Sequence, residues 1–298
     1  MYKSEAHNED GFYAKVVADS NCDGTRITTL ELKYPRFIHA EFMTHRMFSR
    51  NASSSRAIPV EKMLNECTAQ PIHWGKNQAG MQADAALSPA DESVAIQIWE
   101  AAREHAIHHS RELLSLETHK QVANRITEPF QFIKVIVTAT EWQNFFDLRL
   151  HKDAQPEIME LANLMMTAMN ESDETWLEYD DWHLPYITQK DIRLGLDVRD
   201  ARMVSAGRCA RVSYMNHDNS EPDIRRDRNL ANVLLFSKHL SPFEHQARPM
   251  NIMNDVSLGF EVGTTHLDRN GYVWSGNFRN WIQHRQFYEQ TFEDYYER

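Results

Sequence analysis

Thirteen consecutive residues, Thr44-His45-Arg46-Met47-Phe48-Ser49-Arg50-Asn51-Ala52-Ser53-Ser54-Ser55-Arg56, hold three guanidinium groups, an imidazole and five hydroxyls. Arg presents a planar fork of donors that matches phosphate oxygens, and Ser hydroxyls with backbone N–H groups complete such a shell. The competing reading is a solvated loop whose Ser and Asn side chains cap turns. Two features favour a ligand. The run follows the aromatic and apolar stretch Tyr34–Met43, and a second Arg-bearing segment, Thr138–Glu157, lies further along the chain. In that segment Asn144 and Leu148 are four residues apart and Arg149 follows, so on a helix they face neighbouring parts of one ligand. The net charge of −11 excludes a general nucleic-acid binder, and local Arg clusters in an acidic chain point to a small phosphorylated molecule.

Other constellations are weaker. His105, His108 and His109 have helical spacing, but no neighbouring Cys or carboxylate is expected to complete a tetrahedral set, so a solvated helix face is preferred and no metal is expected. Gly75 and Gly80 have the spacing of a phosphate-binding loop, yet Met81-Gln82 replaces the required Lys-Ser/Thr. Cys22, Cys67 and Cys209 are widely spaced and odd in number, which argues against a disulfide framework or a cysteine zinc site and for a reducing, cytoplasmic setting. Met1–Glu5 lacks a basic-then-apolar leader, and no run approaches a membrane span, so no membrane partner is expected.

The elements that must position these groups follow from pattern. Asp23-Gly24 predicts a hairpin turn into an alternating strand, Arg26–Tyr34. Pro35 predicts a helix running to about Ser49. Residues 60–90 read as irregular. A long helix is expected over Asp91–Leu116, with Val94, Ile98, Ala101, Ala102, Ile107 and Leu114 near helical spacing. The β-branched run Phe132–Thr138 reads as a strand or a buried core segment, followed by a helix bearing Asn144 and Arg149 and another from Pro156 to about Met169. Residues 170–200 read as a connector broken at Trp182-His183-Leu184-Pro185, and a last helix is placed near Asp227–His239. No Gly-x-Gly-x-x-Gly is present, so no dinucleotide-binding Rossmann fold is expected.

His45-Arg46, Ser49, Asn51, Ser54 and Arg56 follow the pattern Arg-His-Arg-x-x-Ser-x-Asn-x-x-Ser-x-Arg. Asn144-Phe145-x-x-Leu148-Arg149-x-x-x-x-Ala154-Gln155-x-Glu157 follows a second signature, and Glu112-Leu113-Leu114 with Lys120–Pro129 a third, in the same order. Together they resemble the flavin-dependent thymidylate synthases. The resemblance implies an α+β fold, mixed helices around an antiparallel sheet, and methylation of dUMP at C5. Methylenetetrahydrofolate would be the one-carbon donor, and reduced FAD, regenerated by NADPH, the hydride source. It assigns Ser54 to nucleotide binding and activation, and Arg56, Arg125 (from a neighbouring subunit), Arg149 and Gln283 to the nucleotide. His45, Arg46, Asn51, Asn144, Leu148, His245 and Arg285 fall to the flavin. It also implies a homotetramer.

Departures fall within the site. Thr44 stands where the family has its first Arg, Glu41 where a Gln often lies, and Ala52 where a Glu or Gln is usual; Asp153 lies near the position of a flavin-contacting His. They leave room for hydroxymethylation of dUMP, methylation of dCMP, or a non-catalytic nucleotide-binding homologue. The C-terminal part adds a second departure. Arg208-Cys209-Ala210-Arg211-Val212-Ser213-Tyr214 and Ser241-Pro242-Phe243-Glu244-His245 resemble a strand and a turn that precede Arg-His-Arg in the usual family order, but here they come last. Arg208 and Arg211 read equally as exposed strand residues or as ligand contacts. Residues 1–200 are therefore expected to form the core with both signatures. Residues 201–298 are expected to complete the same domain as a permuted half or a partial duplication, with Gln283-His284-Arg285 as a degenerate second motif. An unrelated C-terminal domain is the alternative.

Overall fold

The computed structural model describes residues 4–83, 85–212, 223–251 and 261–289. Strands β1 (Ser4–His7), β2 (Tyr13–Cys22) and β3 (Thr25–Pro35) form an antiparallel meander. The β2–β3 turn pairs Cys22 with Thr25 and places Asp23 at φ 48° and Gly24 at φ 76°, the double left-handed conformation that Asp-Gly favours in a two-residue hairpin. The main sheet runs β1-β2-β3-β5-β4, with β4 (Ser49–Ala52) and β5 (Phe132–Ala139) antiparallel. A two-residue strand, β6 (Thr175–Trp176), adds parallel to β2. The fold is α+β, mixed helices around an antiparallel sheet, with no Rossmann-type parallel sheet among the described residues.

The predicted helix from Pro35 to Ser49 is replaced by a 3-10 turn at Arg36–Ile38, the short helix α1 (His39–Met43) and then β4. Half of the Ser/Arg run is thus an edge strand, because its alternating Ser49, Asn51 and Ser53 pair against β5 instead of continuing a helix. Residues 60–90, expected to be irregular, contain α2 (Val60–Asn65). Helices α3 (Pro89–Ser115), α4 (Lys120–Ala123), α5 (Gln143–Arg149) and α6 (Pro156–Asn170) follow, α3 and α6 within two residues of expectation and α5 bearing Asn144 and Arg149 as expected. Ser88 caps α3 by accepting from the Asp91 amide, with Pro89 in the first turn.

Alternation along β3 and β5 sends Leu30, Leu32, Tyr34, Ile133, Val135, Val137 and Ala139 to one face. There they pack with Ile158, Leu161, Ala162 and Met165 of α6 and with Phe42, Phe48, Phe145 and Phe146. The opposite face carries Ser20, Ile27, Thr29, Ile136, Thr138, Ser49 and Asn51, which share that side by register. It is also buried. The cover comes from later in the chain: Ala247, Phe278 and Trp281 sit against Ile27, and Cys209 and Val212 against Ile136. Trp281 Nε1 donates to the Thr25 carbonyl at 3.1 Å.

The expected connector over 170–200 contains α7 (Gln189–Arg193) and the start of α8 (Val198–Arg211), and the last predicted helix is α9 (Ile224–Phe236). Arg208 to Val212, expected as a strand, are therefore helical or end a helix; Ser213 and Tyr214 lie outside the described residues. The small residues Ala201, Ser205, Ala206, Gly207 and Ala210 let α8 be buried on most sides. Nor is Arg208 exposed. It bridges Asp191 of α7 (2.7 Å) and Asp227 of α9 (3.0 Å), and Arg211 also pairs with Asp227. The chain finishes with β7 (Ala247–Pro249), β8 (His266–Leu267), β9 (Val273–Ser275), β10 (Phe278–Arg279) and β11 (Trp281–Gln283). Strand β11 pairs with β7, and β8, β9 and β10 form a small antiparallel sheet. No helix among the described residues is long and apolar enough to cross a membrane.

Two outcomes follow. A Cβ built on Gly207 would lie 2.0 Å from the Asp227 carbonyl oxygen, so Gly207→Ala must push α8 from α9. It should cost about 1–3 kcal/mol, read as a lowered thermal midpoint; an unchanged midpoint would mean the helices do not touch backbone to backbone. The Arg208 guanidinium holds the Asp191 carboxyl below the usual range, so this pair stabilises the fold above the unfolded carboxylate value and is lost as pH falls below about 4. Asp191→Asn should destabilise the protein at pH 7 and flatten its stability loss between about pH 4 and 2. Parallel urea titrations that kept the wild-type acid slope would contradict this.

Candidate functional site

Strand β4 positions the first group of side chains. Its register against β5 turns Ser49 and Asn51 inward, toward the C-terminal cover, and Arg50 away. Arg50 Nη1 donates to the carbonyls of Met43 and His45, each at 3.0 Å, and so folds the turn that joins α1 to β4. Beyond β4, Asn124 Nδ2 donates to the carbonyls of Ser55 (2.7 Å) and Ile58 (3.0 Å), which fixes the course of Ser54–Ile58. The result is a cavity of about 430 Å³ lined by Arg50, Asn51, Ala52, Ser54, Arg56, Ala57 and Ser241. Its lining residues include two arginines, two serines and an asparagine; the Arg50 guanidinium is engaged with backbone carbonyls, and Arg56 is the exposed cation. That set suits one mononucleotide or a comparably sized anionic ligand.

His45 and Arg149 bring the two signature segments together. Arg149 Nε donates to His45 Nε2 at 2.9 Å, and Arg149 Nη2 donates to Thr44 Oγ1 at 3.3 Å. Burial, with Arg149 and Arg50 nearby, lowers the His45 pKa to about 4, so the ring is neutral near pH 7 and free to accept that bond. Its edge contact with Phe145, at 4.8 Å between ring centres, fixes its plane. Thr44 therefore answers Arg149 where a second guanidinium would repel it.

The other residues proposed from sequence divide by exposure. Arg46, Arg56, Asn144 and Leu148 lie on the surface, and Arg56 and the half-buried Ser54 line the cavity. Arg125 is exposed and pairs with Glu128 at 3.0 Å; Glu128 accepts from Ser55 Oγ at 2.7 Å, so Arg125 is linked to the Ser/Arg run within one chain. Among the described residues no histidine or carboxylate hydrogen-bonds Ser54, so no activating base stands beside its hydroxyl.

Three residues expected in direct ligand contact stand behind the cavity wall. Gln283 is buried and its amide nitrogen donates to Ser49 Oγ (3.1 Å), Asn277 Oδ1 (3.1 Å) and the Glu244 carbonyl (3.3 Å). His245 has no exposed surface and is bonded to Thr138 Oγ1 and to Asn51. Arg285 is ion-paired with Glu244 and Glu289. Gln283 and His245 are buried polar groups that must find partners, and they use the protein itself, whereas Arg285 is half-buried. Sequence reasoning missed Arg50 and Ser241 as cavity walls, though both lay inside motifs already singled out. His183, read as a break, has its ring between Ser20 and Thr29 in the buried face, and no periodic signal marks it. The surface trio differs too: Glu112 stands 2.7 Å from His109 and 3.5 Å from His108, so a carboxylate does neighbour those exposed rings.

The family model described as thymidylate synthase complementing protein matches residues 26–173. No curated protein sequence matches the chain. Among solved structures, the UMP/dUMP methylase PolB from Streptomyces cacaoi bound with 5-Br dUMP is similar at 19% identity and a TM-score of 0.40, covering 49% of this chain and 67% of that one. The same methylase bound with 5-Br UMP is similar at 17% identity and a TM-score of 0.45, covering 54% and 89%. The family match spans both signature segments and the strands and helices that hold them, and over residues 26–173 this chain belongs to the thymidylate synthase complementing protein family.

Proposed function

We propose that the protein is an enzyme of pyrimidine deoxynucleotide modification, a flavin-dependent methyltransferase that converts dUMP to dTMP. Methylenetetrahydrofolate supplies the one-carbon unit, and FAD, reduced by NADPH, is the cofactor. The observation that carries the reading is the cavity itself, where Arg56, Ser54 and Asn51 of the family's first signature meet Ser241 of the C-terminal cover. A mononucleotide phosphate is complemented there by guanidinium forks and hydroxyls. Uracil C5 is a weak nucleophile, so such a site must hold the ring in place, polarise it and keep water out.

The donor set also fits a flavin nucleotide. Arg46, Asn144 and Leu148 are exposed beside the His45–Arg149 pair or on the same helix as Arg149, and offer a cation, an amide and an apolar surface to a ligand larger than the cavity. When bound, reduced flavin supplies the hydride that completes the methyl group. The chain's own residues bind and orient: Arg56, Arg149, Arg125 and Ser54 on the nucleotide, His45, Arg46 and Asn144 on the cofactor, and Asn51, expected on the cofactor, on the nucleotide whose cavity it lines. His45, neutral and held by Arg149, does so as a hydrogen-bonding ring and not as a cation. Residues 201–298 complete the same unit as residues 1–200, and Gln283, His245 and Arg285 support the wall from behind.

A homotetramer accords with the outer surface of α3 and the segments after it, where Val94, Ile98, Leu116 and Val122 are each at least half exposed. One observation favours a second reading with an altered pyrimidine. Ala52, where the family carries a longer polar residue, lines the cavity, so the space and hydrogen bonding offered to the base differ. Hydroxymethylation of dUMP or methylation of dCMP would use the same nucleotide grip.

Purified protein is expected to bind FAD, with a flavin absorption band, and to form dTMP from dUMP, methylenetetrahydrofolate and NADPH, measured by mass spectrometry of the nucleotides. Arg56→Ala should raise the dUMP dissociation constant about ten- to a hundredfold, the equivalent of about 1.5–3 kcal/mol for a charge-assisted hydrogen bond. Product from dCMP alone, or a hydroxymethyl product, would select the second reading. Tight dUMP binding without flavin or turnover would leave a nucleotide-binding homologue, and no binding of either ligand would overturn the proposal.

A further inference from the structure

A continuous line of buried side chains runs from the cavity wall through the sheet. Asn51, which lines the cavity, meets His245 Nε2 at 3.2 Å. His245 Nδ1 lies 2.9 Å from Thr138 Oγ1, and Thr138 Oγ1 lies 2.7 Å from Thr29 Oγ1. Thr29 Oγ1 is 2.8 Å from His183 Nε2, and His183 Nδ1 is 2.9 Å from Ser20 Oγ. Every member is buried, and Thr29, Thr138 and His245 have no exposed surface.

Hydrogen-bond chemistry makes this line directional. A hydroxyl has one proton to donate, and a neutral imidazole donates from one nitrogen and accepts at the other. Burial lowers the His245 pKa to about 3, so its ring is neutral near pH 7. For two neutral rings, a line running one way throughout is the arrangement that bonds every hydroxyl proton on it, because a threonine that accepted from both neighbours would have no acceptor on the line for its own proton. Two self-consistent states exist, one running from Asn51 to Ser20 and the other in reverse. Asn51 selects between them. With Nδ2 toward His245 Nε2, its two protons face three acceptors, that nitrogen (3.2 Å) and the backbone carbonyls of Ser241 (3.1 Å) and Arg50 (3.0 Å), while Oδ1 accepts from Ser241 Oγ at 3.3 Å. In the reverse state Oδ1 would face those two carbonyl oxygens, which have no proton to give.

We propose that this line is a positioning relay that locks the amide of Asn51 so that the cavity meets its carbonyl oxygen, an acceptor, with His245 as the positioning residue. Nδ2 has two protons for the three acceptors around it and none to spare, so Oδ1, with one long bond to Ser241, is the part of the amide left to a ligand N–H or O–H. The arrangement gives His245, Thr138, Thr29 and His183 a role in ligand recognition although none of them lines the cavity. The proposal goes beyond the assignment of substrate: the direction of the relay is a property of the ligand-free protein.

The direct test is the tautomer of each ring, read from ¹⁵N-histidine NMR spectra of the ligand-free full chain at pH 7, with assignment by single substitution. Both His245 and His183 should be neutral and carry the proton on Nδ1. A proton on Nε2 of either ring, or a doubly protonated ring, would overturn the relay. A second arm compares Thr138→Val, which removes the central hydroxyl, with Thr138→Ser, which keeps it. Thr138→Val should release the His183 tautomer into a mixture and weaken dUMP binding about tenfold, whereas Thr138→Ser should restore both to within about twofold of wild type. Equal behaviour of the two variants would contradict the proposal. If Thr138→Val does not fold, the wild-type tautomers still decide it. The nucleotide reading can fail without touching the tautomers, so the two failures are distinguishable.

Discussion

The central sheet is buried on both faces, but only one face is apolar. On the other, Ser20, Thr29, Thr138, Ser49 and Asn51 are all taken out of water. A buried polar group left without a partner costs about 1–3 kcal/mol, and this face presents five of them within a few strands. The cover that satisfies them must therefore be polar in register with the sheet, and His183, His245 and Gln283 meet it there. The same constraint places the Ser241 turn against Asn51 and so closes the cavity. Apolar contacts from Phe278, Trp281 and Ala247 give that cover adhesion; the hydrogen bonds give it register.

Charge at the site follows from this packing. Substituting Thr44 for the family's first Arg removes a cation where Arg149 already sits, and Thr44 instead accepts from that guanidinium. His45 stays neutral because burial and two guanidinium groups both oppose a proton. Arg50 serves backbone carbonyls and lines the cavity at once. Of the cations grouped in the sequence, Arg56 is the one that lines the cavity with a freely exposed side chain. The Arg208–Asp191–Asp227 network does a different job, fixing α7, α8 and α9 beneath the cover.

Much of this was legible in the residues. Asp23-Gly24 dictated the hairpin, β-branched residues marked β5, apolar spacing found α3 within two residues of its ends, and Pro156 opened α6 where it was expected. The helix expected through Ser49 failed because pairing with β5 outweighed the local signal from Pro35; edge-strand pairing is a long-range term that a window of sequence does not contain. Arg208 read equally as an exposed strand residue or a ligand contact, and its structural role was hidden because its acidic partners, Asp191 and Asp227, lie on two other helices. His183 was unreadable for the same reason: its partners are Ser20 and Thr29, far back in the chain. The cavity's first wall was visible as a motif, while its second, Ser241, required knowing that the C-terminal part lies on the polar face of the sheet.

The central claim is that β4 with its following loop and the Ser241–His245 turn form one ligand site. Hydrogen–deuterium exchange of the full chain with and without dUMP tests it most directly, in peptides covering 50–57 and 240–246. The account predicts slower exchange in both segments at the same dUMP concentration. Protection of 50–57 alone, with 240–246 exchanging as in the free protein, would contradict it.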